Sequence, residues 1–227
     1  MEDAAQAIDS YYNGKPLGSF GDLATFSFHE TKNIISGEGG MLIVNNDQLK
    51  NRSEILWEKG TNRSAFFKGE VDKYGWVDLG SSFLPSEIVA AFLYAQLENL
   101  DKIQSKRIAL WNYYLDQLKK YEGVHFDLPK LPEYASNNAH MFYLIWKDKN
   151  VRDQYLSFMK SKGILPVFHY LSLHKSPYFE NKYEGGALEN SDYYTDTLTR
   201  LPFYYELTQE EQDDVITRTA VFLESLN

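Results

Sequence analysis

Three glycines within four positions, Gly37, Gly39 and Gly40, separate two short apolar runs at residues 23–28 and 41–44. Glycine weakens regular structure and serves where a chain must turn sharply or pass close to other atoms. The pattern therefore prescribes two short buried strands joined by a tight connection. Within it, His29-Glu30-Thr31-Lys32-Asn33 sets a single lysine just beyond the first strand.

The remaining patterning fixes the class. Residues 2–12 and 46–59 read as helices, and the polar, aromatic stretch KGTNRSAFFKGEVDKYGW that follows reads as a long loop. From Pro85 to about Tyr121 a helical pattern places Ile88, Phe92, Leu93, Leu97, Leu100 and Ile103 on one stripe, continued by Leu110, Trp111, Tyr114, Leu115 and Leu118. Its length predicts two helices with a break near Asp101 and a stop at Gly123. Strand at 140–147, helix at 151–162 ending at Gly163 and strand at 164–169 form a small α+β unit. Thr208 and Glu211 fit a capping box that opens a terminal helix with Val215, Ile216, Phe222 and Leu223 turned inward. The expectation is an α/β fold: part of a large α/β layer over residues 1–80, then a long helical connection and a smaller α+β domain over residues 81–227.

Composition excludes several functions. Of the 227 residues 43% are hydrophobic, enough for a substantial core, and the net charge of −9 without a basic cluster argues against nucleic acid. The longest apolar run, EIVAAFLYA at 87–95, is far short of the ~18 residues of a membrane span. The acidic start MEDAAQAIDS lacks the regions of a signal peptide, so the expected compartment is the cytoplasm. No cysteine is present, which removes disulfides, thiolate chemistry and cysteine-ligated metal. His169 and His174 lie five apart across a strand end, a poor spacing for a shared metal, and no metal site is expected. There is no G-x-S-x-G, H-E-x-x-H, Walker or G-x-G-x-x-G pattern.

Lys32 stands out because one side of it is apolar and the other glycine-rich. A lysine desolvated in such a place has a lowered pKa and offers a neutral amine to a carbonyl carbon. A surface lysine after a strand has the same spacing, and the pattern alone leaves both readings open.

The order of motifs adds to this. EDAAQA at 2–7 followed by SFHETKNIISGEGG at 27–40 resembles the signature of the sugar-nucleotide aminotransferases, fold type I enzymes that use pyridoxal 5'-phosphate (PLP). The resemblance implies that Asp3 partners the pyridine nitrogen, Gln6 lies near the ring oxygen, Ser27 binds the phosphate and Lys32 is the lysine covalently linked to the cofactor. It further implies that a carboxylate keeps the ring nitrogen protonated and that the freed lysine carries protons as general base and acid.

The resemblance extends over nearly the whole chain, including NNAHMFYL and VFHYLSLH. Within the family it is closest to the branch that makes dTDP-4-amino-4,6-dideoxygalactose, which implies a dTDP-sugar substrate, glutamate as amino donor and a homodimer with sites at the subunit boundary. It would put Arg63 at the nucleotide diphosphate and His140, Tyr170 and His174 near the sugar pocket; a solvated arginine and packing aromatics are the alternatives. The related dehydratases replace the lysine with histidine, which Lys32 argues against. Relatives often carry Asn-Tyr-Arg before the long helix, reaching the neighbouring subunit's cofactor, where this chain has Ser82-Phe83-Leu84.

Family members begin well before Asp3, with a segment that holds most of the large sheet. The chain is therefore expected to be a C-terminal portion, needing a separate N-terminal segment or copies of itself to complete a site. Residues 1–80 are expected to expose apolar surface. A non-catalytic, self-associating or partner-binding module is the competing reading.

Overall fold

The computed structural model describes residues 1–226, which fold into two compact units. The first comprises residues 1–104 and 133–138, the second residues 105–132 and those from 139 onward. By compactness the division thus lies further along the chain than residue 80.

The first unit contains strands β1 (Glu2–Asp3), β2 (Tyr11–Tyr12), β3 (Lys15–Pro16), β4 (Leu23–Ser27) and β5 (Gly40–Val44). A three-stranded sheet runs β1-β4-β5, with β1 parallel and β5 antiparallel to β4. The register of β4 with β5 runs from Leu23 opposite Val44 to Ser27 opposite Gly40, so the two strands foreseen around the glycines form a continuous ladder. Ala24 within β4, with Ala4 and Phe28 just beyond β1 and β4, is buried.

Helix α1 (Asp47–Trp57) follows, capped by the Asn46 side chain, which accepts from the Gln48 N–H. The stretch expected as a loop contains one short helix, α2 (Arg63–Phe67). Helix α3 (Glu87–Glu98) is capped by Ser86, and α4 (Leu100–Leu118) begins immediately after Asn99, so the long helical pattern does break close to Asp101.

Residues 2–12 are not helical. Glu2 and Asp3 join the sheet opposite Ala24 and Thr25, and Asp3 Oδ1 accepts from the Ala5 N–H, a local bond that competes with helix formation. The chain then descends by tight turns, Ala7 N–H to Ala4 O and Ser10 N–H to Ala7 O, through Asp9 at φ 56°. Asn13 and Gly14, both at positive φ, join β2 to β3 as a two-residue hairpin turn. Asn-Gly between Tyr12 and Lys15 was the local signal for it.

The helical stripe expected from Ile88 onward is only half covered. Ile88 is 82% exposed and α3 buries no residue, whereas Leu110, Trp111, Tyr114 and Leu118 on α4 are buried. The periodicity is helical throughout, but Leu93 and Leu97 of α3 are only half-buried, whereas the stripe is closed over along the later part of α4. Met41 and Leu42 on β5, and Trp76 and Leu79 further along, are likewise exposed, the apolar surface expected of residues 1–80.

The second unit is built on an antiparallel sheet of order β6-β7-β9-β8, with β6 (Phe126–Asp127), β7 (Tyr143–Trp146), β8 (Val167–Phe168) and β9 (Leu198–Arg200). Its helices are the later part of α4, α5 (Lys149–Ser161), α6 (Glu189–Thr197) and α7 (Gln209–Glu224). The expected strands at 140–147 and 164–169 shrink to β7 and β8, while β6, α6 and β9 were not foreseen. Asp148 caps α5 by accepting from Asn150 and Val151, and Gly163 at φ 79° ends it.

Trp146 is the centre of the core. Its ring lies 4.6 Å from Tyr155, 5.4 Å from Phe126 and 5.8 Å from Phe222, all fully or nearly fully buried. The Tyr155 hydroxyl is satisfied by Thr219 Oγ1 at 2.9 Å. The capping box of Thr208 and Glu211 is present, and Val215, Ile216, Phe222 and Leu223 of α7 are buried as expected.

Candidate active site

Strand β4 delivers the chain to a compact loop at residues 28–39, and hydrogen bonds across it hold its shape. Phe28 N–H donates to Gly39 O at 2.9 Å, Ser36 N–H to Phe28 O at 2.7 Å, and Glu30 N–H to Gly37 O at 3.0 Å. Gly37 sits at φ 84° and Gly39 at φ 155°, conformations that L side chains rarely adopt. A Cβ on Gly40 would lie 2.9 Å from the Phe26 carbonyl oxygen, so the glycine run is needed for both turning and close approach.

Lys32 sits at the tip of this loop, half-buried, its N–H donating to His29 O at 2.9 Å. The His29 ring is itself held: Nδ1 accepts from the Thr31 N–H at 3.2 Å and contacts the Thr31 hydroxyl at 3.0 Å, while Nε2 faces Glu38 at 3.6 Å. On the other side Asn33 and Ile34 are buried. The lysine is thus carried by a fixed backbone, yet among the described residues its Nζ has no hydrogen bond or ion pair.

The other residues expected around a cofactor belong to the same unit. Asp3 stands exposed on β1 opposite Thr25, and Ser27 ends β4 with its hydroxyl 3.4 Å from the His29 N–H. Gln6 is exposed, and its carbonyl accepts from Asn138 Nδ2 at 2.7 Å. Strand pairing therefore brings the Asp3 and Ser27 segments side by side.

Of the residues expected at the substrate, Arg63 belongs to the first unit and is engaged within it. Its Nη1 lies 3.7 Å from Glu58 and its guanidinium stacks 5.0 Å from the Phe67 ring. His140, Tyr170 and His174 lie in the second unit. The His140 carbonyl accepts from Arg107, whose pKa burial lowers to about 10. His174 is partly buried, its ring 3.4 Å from Asp192 and 5.3 Å from the Tyr183 ring. The Lys175 ammonium, with the Asp192 carboxylate 2.7 Å away, lowers the pKa of that carboxyl. Tyr170 is exposed.

Sequence reasoning did not single out Asn33, Gln104 and Asn138. All three are buried and hydrogen-bonded to one another, a relation between distant positions that leaves no local signal. Among the described residues no group of three acidic or histidine side chains is placed to hold a metal, and no helix is long and apolar enough to cross a membrane.

Comparison with known proteins places this arrangement. The chain is 32% identical over 225 residues to the pleiotropic regulatory protein of Geobacillus stearothermophilus, covering 98% of this chain and 57% of that one. In fold it matches DesV of S. venezuelae, with TM-score 0.80 and 27% identity over 95% of this chain and 55% of that one. It also matches Spr1654 of Streptococcus pneumoniae, described as a sugar aminotransferase and solved in a PLP form, with TM-score 0.81 and 22% identity over 99% of this chain and 58% of that one. The chain spans 58% and 57% of the length of two curated relatives it matches. The sequence profile of the DegT/DnrJ/EryC1/StrS aminotransferases, which use PLP, matches residues 1–220. With that profile covering almost the whole chain, and with a glycine-turned lysine loop on a mixed α/β fold, the chain belongs to the DegT/DnrJ/EryC1/StrS aminotransferase family.

Proposed function

We propose that this chain supplies the lysine-bearing part of a PLP-dependent sugar-nucleotide aminotransferase. The enzyme would move an amino group from glutamate to the C4 ketone of a dTDP-4-keto-6-deoxyhexose, in the cytoplasm, for cell-surface polysaccharide. The observation that carries the reading is Lys32: a half-buried residue whose amine has no partner among the described residues, on a loop locked by backbone hydrogen bonds, in the same unit as Asp3 and Ser27.

The donor set suits the cofactor. Asp3 offers an exposed carboxylate for a protonated ring nitrogen, Ser27 a hydroxyl for a phosphate oxygen, Gln6 an amide near the ring oxygen, and Lys32 a primary amine for a covalent link. When bound, PLP supplies an electron sink for the bond broken at the substrate carbon. Asp3 would hold the proton on the ring nitrogen. Lys32 Nζ, once released, would carry a proton between the substrate Cα and the cofactor C4′. Arg63, His140, Tyr170 and His174 remain the proposed contacts to the nucleotide sugar, and the enzyme is proposed to act as a homodimer.

A second reading, a non-catalytic folded module, is favoured by the exposed apolar side chains of the first unit. Titration of the purified chain with PLP separates the two. A visible absorbance band that Lys32→Ala abolishes, with borohydride trapping at Lys32, supports the aminotransferase reading. Absence of a Lys32-dependent band overturns it for this chain and leaves the module. Sedimentation as a monomer at high concentration would count against the homodimer.

A further inference from the structure

Asn33, Gln104 and Asn138 are 6%, 2% and 7% exposed and share one hydrogen-bond network. Asn33 Nδ2 donates to Gln104 Oε1 at 2.9 Å and to the Asn138 carbonyl at 2.6 Å. Gln104 Nε2 donates to that same carbonyl at 3.2 Å and to Asp9 Oδ2 at 3.5 Å. Asn138 Nδ2 donates to the carbonyls of Gln6 at 2.7 Å and Ile8 at 2.9 Å. One residue therefore ties two segments distant in sequence: its backbone receives the residue next to Lys32, and its side chain grips the turn that follows Asp3.

We propose that Asn33 and Asn138 are positioning residues that clamp the Lys32 loop to the Asp3–Gln6 turn, holding the amine and the carboxylate at a fixed spacing. The inference rests on the reading of Lys32 and Asp3 as cofactor residues. The amide is the chemistry required. In Asn138 both side-chain hydrogens point at carbonyl oxygens, so an isosteric carboxylate would place lone pair against lone pair in a buried site. In Asn33 the same replacement would confront Gln104 Oε1 and the Asn138 carbonyl. A buried network of this kind specifies one geometry because each member is costly to leave unpaired.

The test compares the 227-residue chain with Asn33→Asp, Asn138→Asp and Lys32→Ala. Hydrogen exchange without cofactor reads the clamp directly. Either aspartate variant should speed exchange by about tenfold or more in both residues 4–10 and residues 28–39, while the core amides of the second unit stay unchanged. Induced visible circular dichroism per bound PLP reads positioning, because it depends on how rigidly the ring is held. It should fall by half or more in both variants even when saturating PLP restores trapping at Lys32, a change that lowered global stability alone would not produce. Faster exchange confined to the substituted segment, or unchanged dichroism per bound PLP, overturns the clamp. Failure of the wild-type chain to trap PLP at Lys32 overturns the cofactor reading itself and the proposal with it, an outcome recognised before any clamp variant is examined.

Discussion

Asp3 stands opposite Thr25 in the parallel pairing of β1 with β4, two positions ahead of Ser27 on the same strand. The pairing fixes the carboxylate beside the strand that leads into the lysine loop, although it lies close to the start of the chain. The backbone supports this placement, since Ala4 N–H donates to Thr25 O at 2.9 Å. Asp3→Asn preserves the side-chain volume and removes the charge. It should weaken PLP binding by about tenfold or more, the effect of losing one charge-assisted hydrogen bond. Absorbance titration measures this, and unchanged affinity would remove Asp3 from the cofactor set.

The glycine turn is a second point of control. Gly39→Ala must hold φ 155°, and its Cβ would lie 2.6 Å from Ser36 Oγ, a hydroxyl that already donates to Glu38 O. The strain should cost about 1–3 kcal/mol locally and displace the Lys32 loop. Expected outcomes are loss of borohydride trapping at Lys32 and preserved melting of the second unit by near-ultraviolet circular dichroism.

Trp146 is fully buried among Phe126, Tyr155 and Phe222, so Trp146→Ala opens a large cavity in the second unit. It should destabilise that unit by about 3–5 kcal/mol. Tyr155→Phe, which strips only the bond to Thr219, should cost about 1 kcal/mol. Urea unfolding of each variant gives the comparison, and equal costs would contradict the packing described.

The capping box makes one pH dependence predictable. Hydrogen bonds from the Thr208 N–H and hydroxyl lower the Glu211 pKa below its ordinary value of 4.5. Because the folded value is depressed, the stabilisation is present above pH 4.5 and is lost as the pH falls through the folded value. Glu211→Gln can still cap the helix and should flatten this acid-side slope, whereas Thr208→Ala should cost about 1 kcal/mol at neutral pH. Thermal melts between pH 3 and pH 7 would show both effects, and a slope unchanged in Glu211→Gln would place the acid sensitivity elsewhere.

What the sequence determined by itself is local. The capping box of α7, the stop at Gly163, the break between α3 and α4 and the strand pair around Gly37, Gly39 and Gly40 each depend on residues a few positions apart, whose dihedral preferences and side-chain bonds act before any distant contact forms. The order of the aspartate and lysine motifs carried the family resemblance, a match of pattern rather than of local physics. The tertiary structure decided the rest. Residues 2–12 lost their helical character because Glu2 and Asp3 are claimed by β4, and β6, β8 and β9 are strands of two or three residues that exist only through their neighbours. The Asn33 amide meets partners 71 and 105 residues away, so no window of sequence contains the interaction. Burial supplies the physical reason: removed from water, each polar group must find a partner wherever the fold brings one, and that choice belongs to the whole chain.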